Sequence, residues 1–209
     1  MLWLALHFPA LALEASPSME GLARVVVDGQ TVVLASSEAR GLGVLPGMSL
    51  SSAYALAPHL DASECGRDDM VAALEQLAPR LGSVTSHVAL CPDGSSLVGE
   101  IGASERLFGG LAGVLQAAEA AFAGASVTAQ VGVAPTPLAA EVLATYRPGS
   151  VLAELARLRS ELSPLPVAAL PWSDAVNRAL TRMGVRTIGQ VLTLPRDGVA
   201  RRLGVSALE

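Results

Sequence analysis

The side chains able to do chemistry are thinly spread along these 209 residues. No Asp or Glu precedes Glu14, and between Gln76 and Ser104 the only carboxylates are Asp93 and Glu100. The three histidines, His7, His59 and His87, and the two cysteines, Cys65 and Cys91, show no metal-ligand spacing. Gly109-Gly110 beside Phe108 lacks the Lys-Ser/Thr that completes a phosphate loop. All fourteen cations are Arg. Six of them, Arg178, Arg182, Arg186, Arg196, Arg201 and Arg202, gather near the C-terminal end.

The elements that must position these groups are legible in outline. Leu2 to Phe8 reads as a buried first strand, and Leu11 to Ala15 is helix-compatible. Arg24 to Asp28 and Thr31 to Ala35 are β-rich runs around Gly29-Gln30, a hairpin signal. Ser49 to Leu56 has helical spacing. Asp68 to Leu81 predicts an amphipathic helix with Val71, Leu74, Leu77 and Leu81 on one face, ended or kinked in its last turn by Pro79. Two further strands, His87 to Leu90 and Ser96 to Ile101, meet at Pro92-Asp93-Gly94, a turn by its chemistry. Then follow an Ala-rich helix from Gly109 to Ala123, a strand from Val127 to Val133 and a helix from Leu138 to Thr145. Pro164 to Pro171 reads as a linker. Helices over Ser173 to Met183 and Ile188 to Leu194 flank Gly184-Val185-Arg186-Thr187, with a third helix beginning near Asp197. The fold class is α+β: a split ferredoxin-like sheet with an insertion after the first strand, then a small helix-hairpin-helix unit.

Composition narrows the function. Half the chain is hydrophobic while aromatics make up 3%, so the core is built from Ala, Leu and Val. The net charge of −5 argues against strong autonomous nucleic-acid binding, which rests on phosphate neutralisation. Two cysteines without a framework fit reduced thiols and a cytoplasmic setting. The apolar run from Met1 to Leu13 lacks a basic start and is interrupted by His7 and Pro9, so it reads as a strand and not a signal peptide. No stretch is apolar for long enough to suggest a membrane span.

Five segments in order resemble the Y-family (DinB/UmuC-type) DNA polymerases, most closely their ImuB-like branch. Ser37-Glu38-Ala39-Arg40-Gly41-Leu42-Gly43-Val44 with Pro46-Gly47-Met48 is similar to the fingers motif, and Ala53 to Pro58 to the helix after it. Gly132-Val133-Ala134-Pro135 resembles the palm strand-turn, and Met183 to Gly189 the thumb. Glu100 to Ser104 with Arg106 to Gly110 is the part most like the ImuB branch. The resemblance runs from Leu2 to about Gly204. It implies a palm over residues 1–14 and 80–160, fingers over 15–79 and a thumb over 165–209. It also implies a little finger and a C-terminal partner-binding region, so the expectation is a chain cut after the thumb.

By that resemblance, two metal ions about 4 Å apart would be held by carboxylates on the first strand and the central hairpin. Counting back from Glu14, the two first-strand Asp positions fall on Ala5 and His7. The aromatic pair that gates the sugar falls on Pro9 and Ala10. The hairpin Asp-Glu falls on Ser95-Ser96 or, with a short insertion, on Asp93-Gly94. Asp93 reads as a turn former and Glu100 as a rim or interface residue. Arg40 stands where the family binds triphosphate, with a structural role inside the fingers as the equal reading. Arg147, before Pro148 and Gly149, resembles a phosphate-binding lysine, while Pro137 and Glu141 replace two others. The first thumb hairpin has lost its glycines to Trp172-Ser173-Asp174, where Ser173 or Asp174 reads as a helix cap. The second, with Gly184, Arg186, Thr187 and Gly189, together with Arg202, is the expected DNA contact.

The resemblance therefore implies a catalytically inactive polymerase homologue, not an enzyme and without cofactor, that acts as an adaptor in translesion synthesis and damage-induced mutagenesis. Implied partners are an error-prone C-family DNA polymerase, an ImuA-type protein, the sliding clamp and, weakly and non-specifically, DNA. The alternative is an active low-fidelity polymerase using Mg²⁺ with atypical ligands.

Overall fold

The computed structural model describes residues 1–15, 22–92 and 94–195. In chain order the elements are β1 (Trp3–His7), α1 (Leu11–Glu14), β2 (Arg24–Asp28), β3 (Thr31–Ala35), α2 (Ser37–Gly41), α3 (Leu50–Leu56), β4 (Asp61–Glu64) and α4 (Arg67–Gly82). Then come β5 (Val88–Leu90), β6 (Ser96–Glu100), α5 (Leu111–Phe122), β7 (Gln130–Ala134), α6 (Pro137–Tyr146), β8 (Ser150–Val151), α7 (Leu158–Leu162), α8 (Asp174–Arg182) and α9 (Ile188–Leu192). The third helix expected near Asp197 lies outside the described residues.

A five-stranded sheet has the order β5-β6-β1-β7-β8, and a three-stranded sheet the order β3-β2-β4. The α+β class and the insertion after the first strand are as the sequence suggested. Strands β1 and β6 run antiparallel: Ile101 N–H donates to the Leu2 carbonyl at one end, and Phe8 N–H to the Ser95 carbonyl at the other. That register sets Ala5 opposite Val98 and His7 opposite Ser96. Alternation along each strand puts Trp3, Ala5 and His7 on one face with Ser96, Val98 and Glu100.

The chain's contacts gather into two units. One comprises Met1–Leu6, Val98–Ala103 and the chain from Gln130 onward. In it α6 lies flush on β7 because Gly132 has no side chain. A Cβ there would sit 2.3 Å from Ala144 N and 2.4 Å from the Ala140 carbonyl oxygen. The segment 164–171 is not a free linker. Leu165 packs with Val142 and Ile188, and Val167 with Leu180 and Val185. Two apolar side chains within a Pro-rich stretch are enough to bury it, and Val167–Ala169 winds into a 3-10 turn.

The other unit comprises His7–Leu97 and Ser104–Ala129. Its small sheet closes on Val25, Val27, Val32, Ala39, Val44 and Ala53, all buried. Gly29, at φ +57°, supplies the tight β2–β3 turn. The sequence pattern missed β4: Asp61 to Glu64 is polar, and becomes a strand by parallel pairing with β2, Val25 opposite Ala62. Pro79 falls in the last turn of α4, as expected, and the helix ends three residues later at Gly82. A proline there forfeits one N–H so near the end that burial of Leu77 and Leu81 on the same face outweighs the loss.

Candidate functional site

The strand ends bring together three of the residues singled out in the sequence. His7 closes β1 and Ser96 opens β6, with Ser95 just before it. His7 Nδ1 lies 3.0 Å from Ser96 Oγ and 3.4 Å from Ser95 Oγ. Ser96 is fully buried and His7 partly so. Ala5 sits one pair deeper, fully buried and opposite Val98. Asp93 lies outside the described residues, and Gly94, at φ +73°, takes a turn conformation that suits glycine.

This donor set does not fit a pair of Mg²⁺ ions. Ala5 offers no ligand atom, His7 one imidazole nitrogen already facing a hydroxyl, and Ser95 and Ser96 neutral oxygens. Hard divalent ions held close together need several carboxylate oxygens to offset their mutual repulsion. Among the described residues no group of three or more His, Cys, Asp or Glu side chains is placed to hold a metal ion. Glu100 faces other work: its carboxylate accepts N–H groups from Leu2 at 3.4 Å, Gly102 at 3.0 Å and Ala103 at 3.4 Å. It pins the start of β1 to the turn after β6.

A cleft of about 810 Å³ opens beside the start of α2. Pro9, Ala10, Leu13 and Leu34 line it, with Arg24, Ser36, Ser37, Arg40, Glu14 and Thr128 supplying polar groups. Arg40 Nε donates to the Ala35 carbonyl at 2.9 Å, which orients its guanidinium along the wall. Arg24, which the sequence reading overlooked, donates to the Leu13 carbonyl and receives its neighbour's fold from Ser36: Ser36 Oγ accepts Arg24 N–H at 3.1 Å. Glu14 accepts both the N–H and the hydroxyl of Thr128, at 2.9 and 2.8 Å. Nearby, the backbone at the start of α2 holds the Glu38 carboxyl below its usual range, helped by the Ser36 and Ser37 hydroxyls. No sequence signal marked Arg24; it stands as an ordinary strand-opening residue until β2 meets α1.

Arg147 ends α6 and is committed to Glu161, 3.2 Å away. Glu161 also pairs with Arg157 at 2.9 Å. In the thumb hairpin, Gly184 takes φ +79° and Thr187 caps α9. Its backbone amides are all engaged within the chain. Arg186 and Thr187 N–H both donate to Gln190 Oε1, at 2.7 and 3.1 Å. Ile188 N–H goes to the Leu165 carbonyl and Gly189 N–H to Ser163, each at 2.9 Å. Gly189 also packs so tightly on Ser163 that a Cβ would lie 3.0 Å from it. Gln190, unremarked in the sequence, therefore fills the place that an anion would take at a hairpin of this kind. Ser173 caps α8, its Oγ accepting Val176 N–H at 3.4 Å, as its position suggested. Arg202 lies outside the described residues.

Comparison with known proteins agrees with this architecture. The model of the impB/mucB/samB family matches residues 2–145. Protein ImuB of Caulobacter vibrioides, in two strains, is 34% identical over 167 residues, covering 80% of this chain and 36% of the relative's length. The chain thus spans about a third of the curated relatives it matches. Among solved structures, an insertion ternary complex of Dbh DNA polymerase superposes with a TM-score of 0.72 at 19% identity, over 99% of this chain and 64% of that one. DinB from Sulfolobus solfataricus gives 0.68 at 18%, over 99% and 64%. At such identity these two establish a shared fold. Among the described residues no helix is long and apolar enough to cross a membrane.

Proposed function

Because the chain belongs to the impB/mucB/samB family, with Y-family polymerases as its structural neighbours, we propose that it is a catalytically inactive homologue serving as an adaptor in translesion synthesis. The observation that carries this reading is the His7–Ser96 hydrogen bond at the palm strand ends, beside a buried Ala5. Where two-metal chemistry needs clustered carboxylates, these positions carry Ala5, His7, Ser95 and Ser96, with His7 Nδ1 facing Ser96 Oγ.

The palm on this reading is 1–14 and 80–160, the fingers 15–79 and the thumb 165–209. The adaptor would join an error-prone C-family polymerase, an ImuA-type protein and the sliding clamp at a lesion, and touch DNA weakly. Arg40 keeps a guanidinium on the wall of an open cleft beside Arg24, which supports residual phosphate binding there. Arg147 is held by Glu161 and would first have to exchange that partner.

The test is genetic. Cells lacking the gene are complemented with the full-length gene carrying His7→Ala and Ser95→Ala, and mutation frequency is measured after DNA damage, with protein level checked by immunoblot. An adaptor keeps its induced mutagenesis to within about twofold at equal protein level. Loss of mutagenesis at unchanged protein level would show that the palm cluster does chemistry.

A further inference from the structure

The three-stranded sheet has an open edge at β4. β4 is its last strand, and the register sets Asp61 beside Arg24 and Ser63 beside Val26. Asp61 N–H donates to the Ala23 carbonyl at 2.9 Å. In a parallel ladder the backbone groups of alternate residues turn the same way. Asp61 and Ser63 therefore face β2, while Ala62 and Glu64 face outward. Among the described residues nothing takes the outward N–H and C=O groups of Ala62 and Glu64.

Acids mark this edge. Asp61 and Glu64 are both exposed, one on each face of the strand, and neither joins an ion pair among the described residues. The nearby Arg67 is committed to the Pro92 carbonyl at 2.9 Å. A second copy of this chain added antiparallel to the same edge would bring the acids of one strand against those of the other, which is unfavourable. Acids that only guarded the edge against pairing would need no cavity beside it. Yet a groove of about 340 Å³ continues from the end of the strand. Leu11, Ala72, Leu77 and Val127 give it apolar walls, and Glu64 and Asp69 add carboxylates.

We infer that β4 accepts an extended basic segment of a partner protein as a fourth strand, with arginine or lysine opposite Asp61 and Glu64 and an apolar side chain seated in the groove. An added strand gains affinity from main-chain hydrogen bonds and selectivity from the side chains beside them, and this edge offers both. The claim goes beyond the adaptor reading and does not depend on whether the chain synthesises DNA.

Fluorescence anisotropy with the labelled peptide Val-Arg-Val-Thr-Arg-Val tests it, since its arginines share the spacing of Asp61 and Glu64. The acidic twin Val-Glu-Val-Thr-Glu-Val should bind about tenfold more weakly or worse. The basic peptide N-methylated at alternate residues, which lacks the pairing donors, should lose as much. Asp61→Lys with Glu64→Lys should reverse the preference between the two peptides. Ala62→Pro removes an outward donor and leaves the bonds to β2 in place, so it should weaken binding severalfold. Ala72→Trp, which fills the groove, should do the same. The charge-reversed pair changes exposed side chains alone and keeps the test readable if Ala62→Pro unfolds, which a thermal melt reports. Equal binding of the two peptides, no binding of the basic one, full affinity of the N-methylated form or an unaltered preference in the charge-reversed variant would each overturn the inference. So would wild-type affinity in Ala72→Trp. A stable dimer in sedimentation, lost on Ala62→Pro, would assign the edge to a second copy and overturn it too.

Discussion

Ala5 sets the limit on what one substitution could restore. It is fully buried within β1, so Ala5→Asp would place a carboxylate where water cannot reach it. Burial raises such a group's pKa. With the folded value above the unfolded ~3.9, the folded state binds the extra proton. The variant's deficit is therefore small below about pH 4 and grows as pH rises toward the folded value. We expect a loss of about 3–5 kcal/mol near neutral pH, and a smaller one at pH 4, read by urea unfolding of both proteins at each pH. An equal penalty at the two values would mean that the site is wetter than its burial indicates. The residue scale was only half legible in the sequence. The absence of carboxylates at Ala5 and His7 could be counted off directly. That His7 meets Ser96 could not, because it depends on strand register, which depends on pairing across a long insertion. Arg24 escaped notice for the same reason, since folding brings the Leu13 carbonyl to it; Gln190 did not depend on that, because Thr187-x-x-Gln190 is the sequence pattern of a capping box.

Among the elements, the β7–α6 pair is the tightest fit. Gly132 leaves no room for a methyl group between the strand and the Ala140–Ala144 face of the helix. Gly132→Ala forces backbone apart and should cost about 2–3 kcal/mol, seen as a lowered Tm. A Tm unchanged within a degree would mean that α6 can slide at little cost. Here the sequence marked a strand and a helix and a family-like turn between them, while the close approach at Gly132 came only with the structure. The sequence spoke less clearly where tertiary contacts overrule local preference. Leu165 and Val167 turn a stretch that reads as a linker into a packed segment, held by Val142 and Ile188 and by Leu180 and Val185. Polar Asp61 to Glu64 is a strand because β2 has an open edge to pair with.

For the molecule as a whole, the proposed reading is of a protein that attends DNA synthesis without performing it. Fold and family were legible from ordered motifs spread along the chain. The proposed loss of activity would rest on substitutions at a few positions within that retained frame. The measurement that bears on it most directly is primer extension by the purified protein on a labelled primer–template, with all four dNTPs and either Mg²⁺ or Mn²⁺. Electrostatic stabilisation by metal ions supplies several kcal/mol of barrier reduction, and each ~1.4 kcal/mol is a factor of ten in rate. Without it, product should stay at the level of the buffer control with either ion. Mg²⁺-dependent incorporation that disappears on Asp93→Ala would contradict the account and make Asp93 a metal ligand.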